Sequence, residues 1–306
     1  MIQRQAEKRK GDGRRTPHKS VNVPFFSKGK NSMLVKKLAA AAAAAVVMST
    51  AGFGASAAEI VVNGSTTVLP IVQKALEGYS HEAGAAAISL SGGGSGNGIK
   101  ALIDGLTDVA MSSRDIKTSE TDLAKSRGVT PYRIPVAVDA IVPVVNNANP
   151  VKNVTLATLK AIYEGKIRNW KDVGGKNAPI VVVSRDSSSG TFETWEELVM
   201  KKARVTPRAL LQASNGTVVQ TVAQNTNAIG YIGLGYVDRQ TKALTIDGKA
   251  ATAAAAKTKA WPLSRELYFF TNGEPKAAVK HFTDFMLDAK KGQKLVKETG
   301  FVPLSE

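Results

Sequence analysis

The chain has no cysteine in 306 residues. That excludes disulfide staples, thiolate zinc sites, iron–sulfur clusters and a cysteine nucleophile, and it leaves no cysteine to carry a lipid. Histidine is nearly as scarce. Of three, His18 precedes the only long apolar run, which leaves His81 and His281. Both fall on polar faces of expected helices and lack metal-ligand spacing, so neither a metal nor a cofactor is expected. A histidine base for a serine nucleophile likewise has no support. The apolar run itself, Leu38 to Met48, is too short for a permanent membrane anchor. With 43% hydrophobic and 22% charged residues, the composition excludes a membrane bundle and disorder over most of the chain.

What the chain has in excess is positive charge: 41 Lys+Arg against 25 Asp+Glu, a formal +16. Such a balance ordinarily points to nucleic acid. Its distribution does not. Residues 1–58 hold eleven basic and two acidic side chains, nine of the sixteen charges, leaving +7 on the other 248 residues. The body is mildly basic, and no nucleic-acid partner is expected. Met33-Leu34-Val35-Lys36-Lys37, the apolar run and Ala55-Ser56-Ala57-Ala58 read as a secretory signal over 33–58, cut after Ala57 or Ala58. Residues 1–32 read as upstream sequence from a misassigned start. Arg14-Arg15 raises a twin-arginine signal, but Thr16-Pro17-His18 follows and the apolar run lies far downstream. The mature protein is expected to be soluble and exported, with a periplasm as the natural place to retain it.

Beyond residue 58 strands and helices alternate. Glu59 to Val62, Ala87 to Leu90 and Asp108 to Met111 read as strands. Between them apolar residues at 68, 71, 72, 75, 76 and 79 make one helical face, and Ile99, Leu102, Ile103 and Leu106 make another. Further on, Val136 to Val145 is a long apolar strand interrupted by Asp139, Leu156 to Tyr163 is helical, and Pro179 to Val183 is a strand. Ala251 to Ala256 reads as a surface helix or loop, and Pro275 to Thr299 as helices with Phe282, Phe285, Met286, Leu295 and Val296 inward. The alternation predicts an α/β fold with a largely parallel sheet.

Three junctions put glycine and hydroxyl residues just before a helix: Gly64-Ser65-Thr66-Thr67, Gly92 to Gly98, and Ser187-Ser188-Ser189-Gly190-Thr191. Helix N-termini leave N–H groups unpaired and carry partial positive charge, so each can hold an anion. Any one such loop is also what ordinary helix capping looks like. Three of them, with Arg114 after Ser112-Ser113 and Arg185 before Asp186, could converge on one small, many-oxygened anion. Either arginine could instead pair with its neighbouring aspartate. Nucleotide and hydrolase motifs fail: Asn97 breaks both G-x-G-x-x-G and G-x-S-x-G, and Ile99 separates Gly98 from Lys100, so there is no P-loop.

Taken in order, Asn63 to Pro70 (NGSTTVLP), Gly94 to Gly98, Ser112-Ser113-Arg114 and Ser184 to Thr191 (SRDSSSGT) resemble the periplasmic phosphate-binding proteins of high-affinity phosphate ABC transporters. Leu159 to Gly175, Ala228 to Tyr231 and Trp261 to Arg265 extend the resemblance over 59–306. It implies a two-lobed type II periplasmic-binding-protein fold with a hinge and an interlobe ligand cleft. Lobe one would be 59–138 plus 264–306 and lobe two 139–263, with crossovers near Val136–Asp139 and Trp261–Arg265. It implies a monomer that binds inorganic phosphate and delivers it to a membrane permease without chemistry. Ser65, Thr66, the Thr67 backbone, Ser95, Arg185, Ser189, Gly190 and Thr191 would hold the ligand. Some relatives carry an aspartate where Ser113 stands; in those with Ser-Ser-Arg, Arg114 would reach the anion. Phosphate near neutral pH carries a proton that sulfate lacks, so a carboxylate acceptor separates the two. Asp139 is the first candidate for that acceptor and Asp186 the second. The alternatives are another tetrahedral oxyanion (sulfate, molybdate or tungstate) and, from another class, a secreted hydrolase using Ser95 or Ser189.

Overall fold

A computed structural model describes residues 59–305, so the expectations for 1–32 and for the signal at 33–58 lie outside the described residues. In chain order the elements are β1 (Glu59–Gly64), α1 (Leu69–Tyr79), β2 (Ala87–Gly92), α2 (Ser95–Ile103), β3 (Val109–Ser112), α3 (Thr118–Ser126) and β4 (Pro131–Asn146). There follow β5 (Asn153–Val154), α4 (Leu156–Tyr163), β6 (Val181–Arg185), α5 (Gly190–Leu198), β7 (Leu210–Gln212), α6 (Asn215–Gln224) and β8 (Ala228–Gly233). The last are β9 (Thr241–Ala243), β10 (Thr245–Ile246), α7 (Ala253–Lys257), β11 (Ser264–Asn272), α8 (Ala277–Leu287) and α9 (Gly292–Glu298).

Among the described residues nine strands form one sheet, in the order β2-β1-β3-β11-β4-β8-β6-β7, with β9 on the end of β4. The α/β expectation holds, but the sheet is mixed. β1, β2 and β3 are parallel, as are β6, β7 and β8, whereas β4 and β11 run antiparallel to each other and to their outer neighbours. The two long strands are connectors. β4 pairs through Pro131–Ala140 with β11 and through Ile141–Val145 with β8, so one strand passes from one half of the sheet to the other. Pro135 sits where the β4–β11 register slips at Leu267/Tyr268, which lets a residue without an N–H stay in the ladder.

Period-two alternation assigns the core. In β11, Leu267 and Phe269 pack with α1, α8 and α9, while Tyr268 and Phe270 pack on the other face with α2 and Ala124 of α3. A separate cluster around Trp170, Trp195, Trp261 and Tyr231 gathers residues of 140–263, joined by Val302. Trp195 stacks on Tyr231 with centroids 4.3 Å apart. Three local expectations are corrected. Leu106 is 70% exposed because α2 ends at Ile103 and Gly105 turns the chain with φ 70°. His81 lies in the turn after α1, not on its face. Ala256 is buried in the second core, so the alanine stretch is not simply surface.

Candidate functional site

Two of the three loops first satisfy backbone groups at their own helix start. Ser65 Oγ accepts from the N–H groups of Thr67 (3.1 Å) and Val68 (3.4 Å), and Ser65 O accepts from Leu69 N (3.0 Å). Ser189 Oγ accepts from Phe192 N (3.2 Å) as the cap of α5. Capping therefore accounts for those lone pairs, but a hydroxyl that accepts still has its own proton to donate. α2 is built differently. Its cap, Gly94, has φ 99° and no side chain, and a Cβ there would lie 2.6 Å from Ser188 O.

The loops then meet. Thr67 Oγ1 and Thr191 Oγ1 are 3.0 Å apart. Ser95 Oγ accepts from Ser113 N (3.0 Å) and stands 3.2 Å from Ser113 Oγ. A Cβ on Gly190 would overlap Ser95 Oγ and lie 2.8 Å from Ser113 Oγ, so the start of α5 sits directly on those two hydroxyls. Gly96 N donates to Ser188 O (2.9 Å), and Ser188 Oγ donates to Gly93 O (3.1 Å). Ser65, Thr66, Thr67, Ser95, Ser113, Arg185, Ser189 and Thr191 are all buried. The first-turn N–H groups of Gly190 and Thr191 have no acceptor within their own helix by construction.

Into this cluster of hydroxyls and helix ends come two buried guanidinium groups. Arg185 closes β6, where its backbone N–H donates to Tyr231 Oη (3.1 Å). Its Nε donates to Gln212 O (2.9 Å), and Nη2 donates to Ala213 O (2.9 Å) and Thr66 Oγ1 (3.3 Å). Arg265, from β11, donates through Nε (2.9 Å) and Nη2 (2.7 Å) to Asp139 Oδ2 and through Nη2 to Thr191 Oγ1 (3.1 Å). Nη1 of each arginine is buried and makes no hydrogen bond within the protein. Burial pushes both guanidinium groups down from their ordinary value, Asp139 opposing this at Arg265. That value lies so high that both stay charged. Two cations and one carboxylate leave the site one positive charge in excess.

Two expected ligand residues are placed differently. Arg114 is paired bidentately with Glu120 (Nη2–Oε1 2.7 Å, Nη1–Oε2 2.8 Å) and also with Glu193 of α5, to which Lys117 Nζ adds a contact of 3.1 Å. Its guanidinium belongs to an ion network, because two carboxylates outbid both the hydroxyl cluster and the neighbouring Asp115 side chain. Asp139 is fully buried with Oδ2 on Arg265 and Oδ1 accepting from Leu234 N (2.8 Å). Burial raises its carboxyl, opposed by Arg265 and that N–H. Its oxygens are thus engaged away from the expected proton-acceptor role. Asp186 accepts from Ser188 N (2.9 Å) and its hydroxyl, as a loop cap.

Sequence reasoning missed Arg265 and Asn215 as members of the cluster. Asn215 Nδ2 donates to Thr67 Oγ1 (3.0 Å) and Thr66 Oγ1 (3.3 Å), and its Oδ1 accepts from Gly233 N (3.1 Å). Tyr236 Oη donates to Thr66 O (2.6 Å). The available signal was Asp139: a carboxylate in an apolar strand needs a partner, and Arg265 opens the other long apolar strand.

Donors therefore dominate: two guanidinium groups, helix-start N–H groups and hydroxyls from four separate segments surround one point. Such an array suits a small anion with several oxygens and suits neither a hydride nor a metal. Comparison with known proteins agrees. A family model described as a PBP superfamily domain matches residues 25–290. The phosphate-binding protein PstS of Staphylococcus saprophyticus is 32% identical over 266 residues, 83% of each chain, and that of Bacillus subtilis is 29% identical over 259 residues, 84% of this chain and 85% of its own. A Clostridium perfringens structure described as a phosphate ABC transporter substrate-binding protein with bound phosphate is 34% identical, with a TM-score of 0.76 over 81% of this chain and 100% of that one. An ABC-type phosphate transport receptor from Vibrio cholerae is also 34% identical, with a TM-score of 0.66 over 79% and 99%. By these matches the chain belongs to the PBP superfamily, in the family of the phosphate-binding proteins PstS.

Proposed function

We propose that this protein captures inorganic phosphate outside the cytoplasm and delivers it to the permease of an ABC transporter. The observation that carries the reading is Arg185: a buried guanidinium with an unpartnered Nη1 that reaches Thr66 Oγ1, in a cluster where the hydroxyls of three helix-start loops meet. Ser65, Thr66, Thr67, Ser95, Ser113, Ser189, Gly190 and Thr191 supply the surrounding donors. Hydroxyl oxygens of Ser95 and Ser113 also accept, so a protonated phosphate oxygen has a partner without a carboxylate at 113. The protein works as a monomer by binding and release, with no bond made or broken. Ser95 Oγ and Ser189 Oγ are bonded to Ser113 and Phe192 N, while His281 Nδ1 bonds Tyr79 Oη, so among the described residues no serine–histidine hydrogen bond supports a hydrolase.

The two cores support a division into lobe one (59–138 plus 264–306) and lobe two (139–263), hinged where β4 and β11 run side by side. Export rests on the signal-like segment 33–58, with retention in a periplasm. Calorimetry of protein beginning at Glu59 tests the function: saturable one-to-one binding of phosphate is expected, and preferential binding of sulfate, molybdate or tungstate would overturn the assignment. Ser95→Ala removes one donor and is expected to weaken phosphate about fivefold to tenfold, the worth of one hydrogen bond near 1 kcal/mol.

Arg114 takes a different part in this reading. Held by Glu120, Arg114 joins Lys117 in gripping Glu193 across the two lobes, beside the site. Glu193→Gln weakens that grip, and phosphate release in stopped flow is expected to speed up about fivefold, the scale of a partly buried ion pair near 1 kcal/mol. An unchanged release rate would remove the network from closure.

A further inference from the structure

We infer that Arg265 is a second phosphate-binding arginine and that Asp139 is the residue that positions it; the inference rests on the phosphate reading of the site. Arg265 and Asp139 are direct cross-strand partners in the β11–β4 ladder, so the register itself aims one at the other. Asp139 Oδ2 takes the Nε and Nη2 edge of the guanidinium at 2.9 and 2.7 Å. That clamp fixes the plane of the group. The remaining Nη2 bonds then go to Thr191 Oγ1 (3.1 Å) and Thr67 Oγ1 (3.5 Å), two hydroxyls from opposite sides of the anion cluster. Nη1, on the same outer edge of the fork, is buried without a partner in the protein.

A structural ion pair alone does not account for this arrangement. Buried donors are almost always matched, and an unmatched charged one is costly unless something else satisfies it. Leu234 N completes the far oxygen of Asp139, so the carboxylate side of the pair is closed while the guanidinium side is open. Arg185 has the same pattern: Nε and Nη2 anchored on protein carbonyls, Nη1 buried and unmatched. Two arginines anchored by one edge, both touching the Thr66–Thr67 turn with the other, form a clamp for an anion bearing two charges. Asp139 offsets one of the two cations and so reduces the like-charge repulsion between Arg265 and Arg185.

The decisive variant is the double substitution Arg265→Gln with Asp139→Asn. It removes a cation and an anion together, leaves no lone buried ion and keeps the net charge of the site. If the pair is only structural, phosphate affinity in calorimetry stays within threefold of the parent. Loss of a direct guanidinium contact predicts a fall of about 30-fold, within the range for hydrogen bonds to charged groups. Asp139→Asn alone separates position from charge. Removing a nearby negative charge should tighten anion binding, whereas releasing the guanidinium from its clamp should loosen it, and loosening is expected. Should these variants fail to fold, the parent protein still decides. In nitrogen-15 spectra of the arginine side chains, phosphate should shift two slowly exchanging guanidinium groups, Arg185 and Arg265; movement of Arg185 only overturns the proposal. A parent protein that binds no phosphate overturns this inference and the function together, while a parent that binds and a double variant that binds equally well overturns this inference alone.

Discussion

Arg185→Met is expected to bind phosphate about a thousandfold more weakly than the parent protein, while its folded baseline and melting temperature without phosphate should change little. The size follows from where the guanidinium lies. It is 1% exposed, and two of its nitrogens are fixed on the carbonyls of Gln212 and Ala213. Truncating one member of a buried, hydrogen-bonded charge pair costs about 2–5 kcal/mol, and every 1.4 kcal/mol is tenfold in affinity. Methionine keeps most of the volume, so the effect is charge and hydrogen bonding and not a cavity. Arg185→Lys retains the charge as a point but loses the planar fork, and an intermediate loss is expected. Since burial works against the charged form of Arg185, removing it also relieves an unfavourable term in the free protein. Calorimetry with phosphate and a thermal melt without it check both halves. A loss below tenfold would transfer the main role to Arg265.

The sequence made the loops legible because their chemistry is local. Glycine and hydroxyl residues before a helix say that N–H groups are being exposed and capped, whatever the rest of the chain does. Arg185 was legible for the same reason, standing four residues before the cap Ser189. Arg265 and Asn215 were not, since their hydrogen bonds join residues 74 to 198 positions apart and depend on tertiary register. Asp139 was read as odd, correctly, but assigned to the ligand: one strand reveals that a buried carboxylate needs a partner, and only the antiparallel pairing of β4 with β11 reveals which. The expectation of a largely parallel sheet failed at the same two strands. Alternating strands and helices predict parallel neighbours within each half, and both halves obey. A chain that crosses between halves twice in extended form introduces antiparallel pairs that local periodicity does not encode. Arg114 repeats the lesson on charge, since Glu120 and Glu193 lie 6 and 79 residues away and the second is visible only in three dimensions.

The positive charge takes on a different meaning in this light. Of the +16, seven charges belong to the described body and the residue after it, and the site uses two guanidinium groups offset by one carboxylate. Mild basicity can raise the local concentration of an anion, but holding it depends on a few dehydrated donors at fixed positions. That predicts an affinity for phosphate much less sensitive to salt than surface ion pairing would be.

Gly190→Ala tests the fixed positions without touching any charge or donor, and it is expected to weaken phosphate about a hundredfold. Gly190 opens α5, and alanine is a better helix former than glycine, so α5 itself should be no less stable for the change. The added methyl nevertheless has no room: it overlaps Ser95 Oγ and lies 2.8 Å from Ser113 Oγ and 2.9 Å from Ser95 Cβ. Both serines come from other segments of the chain and are themselves immobilised, since Ser95 begins α2 and accepts from Ser113 N. Relief therefore requires α5 to stand off from α2. Overpacking of this kind costs about 1–3 kcal/mol where a core must adjust, and the upper end is about a hundredfold in binding. If the two lobes proposed above open and close, the cost falls on the closed arrangement only, because the contact needs the loops to meet. Phosphate binding should accordingly drop while the melting temperature without phosphate holds or rises, a combination that misfolding cannot give. An alanine variant that binds as tightly as the parent would show that phosphate is held without α5 seated on Ser95 and Ser113, and the converging-helix description of the site would have to be abandoned.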